Sequence, residues 1–351
     1  MPMSCARPST ACEETILTDV ADALRDAYGV HAAELHRIPA GTNTINYQVV
    51  DENGRRWFAK IYRGDLERER AAIELAEFAR DGGVPVPAVR RTLDGDVMCE
   101  RTPMSLWEFV DGETAEGGFT GARWRPVGTV LGRLHRRLAE HPSATPTRRP
   151  AVGVRDVSRA PRSFDRVIDG YASRVRLNPF EQWAWEAAKE RRGLLDRAGA
   201  ILAELPDLTV QIVHGDLASP NLMLRDDQVA AVIDFQPPSP RFTAWEIARI
   251  GCDPRTVMLG GDWIDGLAEL LLAYRDEHPA AHVDDLVSSV ATGCAYTLAS
   301  TYPLAEPLDD PAAVTPSLEL YARARHETAL VLLERMSDVQ ERLRERLRPR
   351  P

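Results

Sequence analysis

The spacing of hydrophobic positions along the chain changes period twice. Over residues 15–28, Ile16, Leu17, Val20, Ala23, Leu24 and Ala27 recur at helical intervals, and Gly29 follows as a stop. That pattern predicts an amphipathic helix, which packs outside any site. Alternation then takes over. Apolar runs at 35–39, 47–50, 56–62, 88–93, 97–102 and 105–110 are separated by turn residues, and Asp51-Glu52-Asn53-Gly54 carries the Asn-Gly hairpin signal. One helical stretch interrupts them at 66–80, with Leu66, Ala72, Ile73, Leu75, Ala76 and Phe78 on its buried side. Gly82-Gly83 ends it, and Val84-Pro85-Val86-Pro87 forbids continuation. This part reads as a five-stranded antiparallel sheet with one inner helix, closing near residue 111. A strand period of two sets Phe58, Lys60 and Tyr62 on one face and Trp57, Ala59 and Ile61 on the other.

From residue 121 the pattern is helical. Trp124, Val127, Val130, Leu131, Leu134 and Leu138 form one stripe. Further helices are predicted over 164–175, 180–204, 243–250, 262–277, 283–302 and 317–347, the last becoming an Arg/Glu-rich tail with little apolar face beyond Val339. The segment 143–162 is rich in Pro, Ser, Thr and Arg and reads as a long loop or lid. The fold class is therefore α+β. A disordered start (1–14) precedes a small sheet lobe (15–110) and a mostly helical lobe (111–351).

Candidate chemistry is concentrated within 212–235. Two short apolar runs each end in a carboxylate, Asp216 after His214-Gly215 and Asp234 after Val232-Ile233, and Asn221 lies between them. A hairpin whose Asp and Asn merely cap turns is the bland reading. Phosphoryl transfer is the chemistry that needs the whole ordered set: one carboxylate at the acceptor hydroxyl, the other carboxylate and the amide at the magnesium that bridges the phosphates. Lys60 and Lys189 are the only lysines among 43 basic Lys and Arg residues, so a lysine on a strand suggests a need for an ammonium point charge there. A lysine so placed needs an anionic partner from the following helix, which offers Glu67, Glu69, Glu74 and Glu77. Upstream, Gly41, Thr42 and Asn43 can lay backbone N–H groups over phosphates. Phe58 is placed either to stack on a base or to fill the core. The stretch 105–110, with the backbone of Glu108 and Val110, is the lobe connector and can meet an adenine edge.

Composition narrows this reading. A 351-residue chain with 44% hydrophobic and 27% charged residues is an ordinary globular protein with room for two lobes. No run approaches the ~18 apolar residues of a membrane span, and the polar N-terminus has no signal-peptide core, so a cytoplasmic protein is expected. The five scattered cysteines have no zinc spacing and are expected to be reduced. A net charge of −10 argues against nucleic-acid binding and is compatible with a cationic small substrate.

The chain resembles the aminoglycoside phosphotransferases and their relatives, small-molecule kinases with a protein-kinase-like fold. The likeness spans roughly 35–300. It rests on Phe58-Ala59-Lys60, Leu66-Glu67-Arg68-Glu69, Val84-Pro85-Val86-Pro87, Gly132-Arg133-Leu134-His135, His214-Gly215-Asp216 with Asn221, and Ile233-Asp234-Phe235. The resemblance implies that ATP binds between the lobes. Lys60 would contact its α- and β-phosphates and pair with Glu69, and Phe58 would lie where aromatic relatives stack on adenine. Asp216 would deprotonate the acceptor hydroxyl, Asn221 and Asp234 would bind Mg2+, and His214 would hold the loop. Two departures stand out: Leu217-Ala218 leave no lysine two residues after Asp216, and Gln236 follows Phe235 where a glycine is usual in protein kinases.

The acceptor is expected to be a small molecule with a free hydroxyl, a cationic or nucleoside-like antibiotic. Glu246, Asp253, Asp262, Asp265, Asp276 and Glu277 are candidate contacts for a cation, Glu246 foremost; Trp245, Trp263, Tyr296 and Tyr302 suit a flatter substrate. A metabolic kinase for homoserine, choline or a sugar is the alternative, since 43–47 also resembles homoserine-kinase-like relatives. A silent nucleotide-binding protein is a third reading, opposed by the complete set Lys60, Asp216, Asn221 and Asp234. The oligomeric state is not legible.

Overall fold

The structure is a computed structural model that describes residues 10–39, 44–261 and 263–348. It divides into two compact units: Met1–Asp111 with Ala230–Pro237, and Gly112–Val229 with Pro238–Pro351.

The first unit begins with helix α1 (Thr10–Tyr28), which starts five residues earlier than the apolar spacing predicts. Strands β1 (Ala32–Ile38), β2 (Thr44–Asp51) and β3 (Arg56–Tyr62), helix α2 (Leu66–Asp81), and strands β4 (Val89–Arg90) and β5 (Met104–Glu108) complete it. The strands form one antiparallel sheet in the order β1-β2-β3-β5-β4. Alternation along β3 distributes its side chains as expected. Trp57 and Ala59 enter a core with Val20, Leu24 and Tyr28 of α1, while Tyr62 packs with Ile73 of α2. The Tyr28 hydroxyl donates to Met104 O at 2.6 Å and fastens α1 to the sheet.

The predicted strand at 97–102 does not form. A single bridge joins Cys99 to Met104, and Val97 and Met98 spend their hydrophobicity as core plugs against Ile73 and Tyr62. Asp65 caps α2 by accepting from the amides of Glu67 and Arg68, and Gly83, at φ 80°, turns the chain away from the helix end.

The second unit contains strand β6 (Glu113–Thr114), helix α3 (Trp124–Leu138), strand β7 (Thr147–Arg149), helices α4 (Ala160–Ala172), α5 (Pro179–Gly193) and α6 (Leu195–Glu204), and strands β8 (Leu208–Ile212) and β9 (Leu222–Arg225). Strand β10 (Gln228–Val232) then carries the chain into the first unit. After β11 (Pro240–Phe242) come helices α7 (Thr243–Gly251), α8 (Pro254–Val257), α9 (Trp263–Glu277), α10 (Val283–Leu298), α11 (Glu306–Asp309) and α12 (Pro316–Arg346). No helix among the described residues is long and apolar enough to cross a membrane.

Three expectations fail here for local reasons. The segment 143–162 is no free lid: β7 pairs with β8, and Ala151 and Ala160 are buried. The helix predicted over 180–204 breaks at Gly193-Leu194 into α5 and α6. The end of α12 keeps an apolar stripe beyond Val339, because Leu343 and Leu347 repeat at intervals of four and are buried with it.

Helices α3 and α9 approach unusually closely. A Cβ added at Gly128 would lie 2.1 Å from Leu270 O, and one at Gly132 would lie 2.4 Å from Tyr274 O. Only glycine permits that contact, and it brings His135, on the next turn of α3, against Tyr274.

Candidate active site

In the first unit, Lys60 lies on β3. Its Nζ donates to Asp234 Oδ1 at 2.6 Å. Asp234 reaches it because Val232 N–H donates to Pro85 O at 2.7 Å, tying the end of β10 to the proline-rich segment after α2. Asp234 has φ 64°, a left-handed conformation that Asp tolerates better than most residues, and its side chain is about half exposed. On the same face, Ser105 Oγ lies 2.7 Å from Tyr62 Oη and accepts from Trp107 Nε1 at 2.7 Å.

Glu69 does not form the expected ion pair with Lys60, which is taken by Asp234 instead. Burial raises the Glu69 carboxyl above its ordinary value, and the nearby charges of Lys60 and Arg68 offset this only in part. Phe58 is partly buried on the Lys60 face, opposite Gln48 and Trp107 in register. The Glu108 side chain pairs with Arg55 at 2.6 Å, and its backbone N–H is already committed to Ala88 O. Val110 follows beyond the end of β5. Gly41, Thr42 and Asn43 lie outside the described residues.

The second unit carries Asp216 and Asn221. Ile212, Val213, His214 and Leu217 are buried, so the loop is anchored on both sides of a half-exposed Asp216. Gly215 stands at φ 90°, which excludes a side chain at that turn without strain. His214 Nδ1 accepts from Asp216 N–H at 3.3 Å. Asn221 Nδ2 donates to the Asp216 carbonyl at 2.9 Å, so the amide is oriented and its Oδ1 is left to accept.

Glu246 underlies this loop. It is fully buried and accepts from His214 N–H (3.0 Å), Gly215 N–H (2.8 Å) and His135 Nε2 (3.0 Å). Because the carboxylate only accepts, His135 Nε2 carries a proton, and Nδ1 lies 2.9 Å from the Tyr274 hydroxyl. Burial alone pushes the Glu246 carboxyl up, but the hydrogen bond and charge of His135, with His214 and the Gly215 amide, hold it below its ordinary value. The expectation that Glu246 touches substrate is thus corrected: it is a brace with no exposed surface.

Arg249 lies one helical turn after Glu246. Its Nη2 donates to Asp216 Oδ1 at 2.6 Å and its Nε to Leu217 O at 2.9 Å. Sequence reading missed this residue. It supplies a cation to Asp216 although the loop carries no lysine, and it comes from a helix 33 positions downstream of Asp216.

Residues 34–281 match the model of the phosphotransferase enzyme family. The chain belongs to that family.

Among relatives of this phosphotransferase family chain, a homoserine kinase of Pseudomonas aeruginosa (strain LESB58) is 27% identical over 204 residues, 56% of this chain and 57% of that protein. The chain therefore spans a little over half the length of the curated relatives it matches. The structure is similar to that of spectinomycin phosphotransferase in complex with ADP and spectinomycin, with TM-score 0.66 and 14% identity over 90% of this chain and 98% of that one. It is also similar to amicoumacin kinase in complex with AMP-PNP and Ca2+, with TM-score 0.53 and 13% identity over 91% and 93%. These likenesses give the fold, which is protein-kinase-like as expected.

The acidic residues offered as anchors for a cationic substrate are otherwise engaged. Asp253 is buried, accepts from Ser219 Oγ at 2.6 Å and caps α8. Asp265 pairs with Arg342, Asp276 with Arg125, and Glu277 with Arg133. Asp262 lies outside the described residues. Of the aromatics, Trp245 and Tyr296 face one another in the second unit, Trp263 is buried, and Tyr302 is partly exposed.

Proposed function

We propose that this chain is an ATP-dependent small-molecule kinase that transfers the γ-phosphate to an alcohol. The observation that carries the reading is Asp216. Its loop is braced from beneath by Glu246 and one carboxylate oxygen is held by Arg249, while no hydrogen bond from the protein engages Oδ2 among the described residues. A half-exposed carboxylate held this firmly suits a general base. The acceptor oxygen forms a bond to the γ-phosphorus, the bond from that phosphorus to the β–γ bridging oxygen breaks, and the hydroxyl proton passes to Asp216. ADP leaves with the displaced oxygen.

Lys60 is assigned to the phosphates of ATP, with Phe58 and the backbone of Glu108 and Val110 on the adenine side and Glu69 as a nearby anion that helps set the charge around Lys60. Gly41, Thr42 and Asn43 are assigned to the phosphates from the preceding loop. Asp234 and Asn221 are assigned to Mg2+. The donors fit a hard ion: Asp234 has a second carboxylate oxygen beyond the one facing Lys60, and Asn221 presents an amide oxygen because its nitrogen is already committed. Two protein ligands are few, as suits an ion that keeps waters and phosphate oxygens. When bound, it neutralises charge on the phosphates.

The acceptor is a small-molecule alcohol, and an antibiotic is the first reading, supported by the folds of spectinomycin phosphotransferase and amicoumacin kinase. A metabolite such as homoserine is the second, supported by the identity to the Pseudomonas enzyme. We assign the reaction to the cytoplasm, where ATP is supplied. The test is acceptor-dependent ADP release across antibiotic and metabolite alcohols, repeated with Asp216→Asn. Loss of a general base lowers the rate by ~10²–10⁴-fold. Full turnover in that variant refutes the assignment.

A further inference from the structure

A small open hollow with a cavity volume of about 60 Å3 lies within the second unit between α7, α10 and α12. Its walls include Trp245, Arg249, Tyr296, Tyr321, Arg325 and Thr328. Three of these present buried polar atoms with no hydrogen-bond partner: Trp245 Nε1, Arg325 Nε and Thr328 Oγ1. The residues are 5%, 8% and 3% exposed, so bulk water does not serve them freely. Two of the three atoms can only donate, and the third can. One hollow therefore gathers three unsatisfied donors, and native interiors rarely leave such groups unpaired.

Charge points the same way. No carboxylate lies within 4.0 Å of Arg325 among the described residues. Arg191 is fully buried, and that burial, with repulsion from Arg325 second, lowers its guanidinium to about 9. The carboxylate nearest in sequence, Glu190, is half exposed and reaches His326 at 3.1 Å. Asp253 also lines the hollow, but both its oxygens are occupied, by Ser219 and by Arg255 N–H. A cationic ligand finds no free carboxylate among these lining residues, and Arg249 and Arg325 would repel it, whereas an anion satisfies the donors and compensates the buried charge. Trp245 and Tyr296, with ring centroids 5.7 Å apart, supply flat apolar walls beside it.

We propose that the acceptor alcohol carries an oxyanion, a carboxylate or phosphate monoester, that docks on Arg325, Thr328 and the Trp245 indole N–H. The inference rests on the kinase reading for the word acceptor. Its link to the reaction is Arg249, which lines the hollow and holds Asp216 Oδ1.

A charge series on one scaffold tests this: 3-(hydroxymethyl)benzoate and 3-(hydroxymethyl)phenyl phosphate, against 3-(hydroxymethyl)benzylamine and 3-(hydroxymethyl)benzamide. Each offers the same alcohol. Binding is read by thermal shift and phosphorylation by ADP release, in the wild type, Arg325→Gln and Thr328→Val. The anionic members raise the melting temperature of the wild type, and the one that raises it more identifies carboxylate or phosphate as the group. Arg325→Gln weakens that binding by about 30-fold or more. Thr328→Val, which removes one donor at constant volume and guards against a misfolded Arg variant, weakens it several-fold. A shift from the amine or amide equal to that from the anions, or anion binding unchanged in both variants, overturns the proposal, as does ADP release from the amine alone. Anion binding that depends on Arg325, with no ADP release from any alcohol in this series or the wider screen, supports the anion site and refutes the kinase reading instead.

Discussion

Glu246→Gln is the sharpest test of the idea that a buried carboxylate shapes the Asp216 loop. The substitution preserves volume and removes charge and one accepting position. With its carbonyl oxygen where Oε2 lies, the introduced amide keeps the bonds from His135 Nε2 and His214 N–H. The amide nitrogen then meets Gly215 N–H, donor against donor. Stranding that N–H costs about 1–3 kcal/mol, and turning two charge-assisted bonds into neutral ones costs about 1 kcal/mol each. The expected loss is about 3–5 kcal/mol, or a fall in melting temperature of roughly 6–20 °C for a unit of this size. Urea denaturation measures the first quantity and calorimetry the second. The pH dependence carries its own sign. The folded carboxyl lies below its ordinary value of 4.5, so its contribution is fully present above that pH and is lost as pH falls through the lower folded value. The gap between wild type and variant must therefore narrow in acid. The rate falls as well, by about 10²-fold if the loop shifts by an ångström. A variant within about 1 kcal/mol of the wild type with unchanged turnover, or a gap that widens below pH 4.5, refutes the reasoning.

Gly132→Ala sets a Cβ 2.4 Å from Tyr274 O, and backbone cannot give way as a side chain can; the α3–α9 contact is expected to lose about 1–3 kcal/mol despite alanine's better helix propensity, measured as a lowered urea midpoint at constant slope. Arg249→Gln leaves Asp216 without its cation and the Leu217 carbonyl with a weaker donor; the expected result is a fall in kcat of about 10-fold or more with KM for ATP little changed, in steady-state kinetics with a saturating acceptor.

Where the sequence was legible, a local rule and a global need coincided. Alternation along 56–62 gave the two faces of β3 because one is core and the other carries Lys60. The periodic stripe from Trp124 to Leu138 gave α3 because its buried residues follow one face. The predicted strand at 97–102 failed because buried Val and Met look alike in a strand and in an irregular plug; only the partner decides, and the partner is Ile73 of α2. Partner choice was illegible for the same reason. Lys60 had four helix glutamates to choose among, yet it takes Asp234, 174 positions away, since a tie from Val232 to Pro85 brings that carboxylate nearer. Glu246 was noticed in the sequence, but burial reverses its meaning: an acid at a loop edge reads as a substrate contact, and the same acid at zero exposure is a fulcrum.

The missing lysine after Asp216 has a consequence for how the site is set. A cation two residues along the same loop would fix the carboxylate locally, whatever the rest of the unit did. Here the cation is Arg249, on α7, one turn beyond the glutamate that holds the loop's amides. The hydrogen bonds to the His214 and Gly215 amides and to the Asp216 carboxylate thus come from a single helix, while Asp253, beyond its end, holds Ser219 farther along the loop. The guanidinium lies 5.2 Å from the centre of the Trp245 ring, on the same helix, and both side chains line the hollow proposed for the acceptor's oxyanion. An arginine there serves two neighbours with one rigid fork, which an ammonium on a flexible stem cannot do. A ligand seated on the Trp245 indole N–H as proposed would therefore lie beside the arginine that orients the Asp216 carboxylate, which ties the acceptor's anchoring to the position of the proposed base through one side chain.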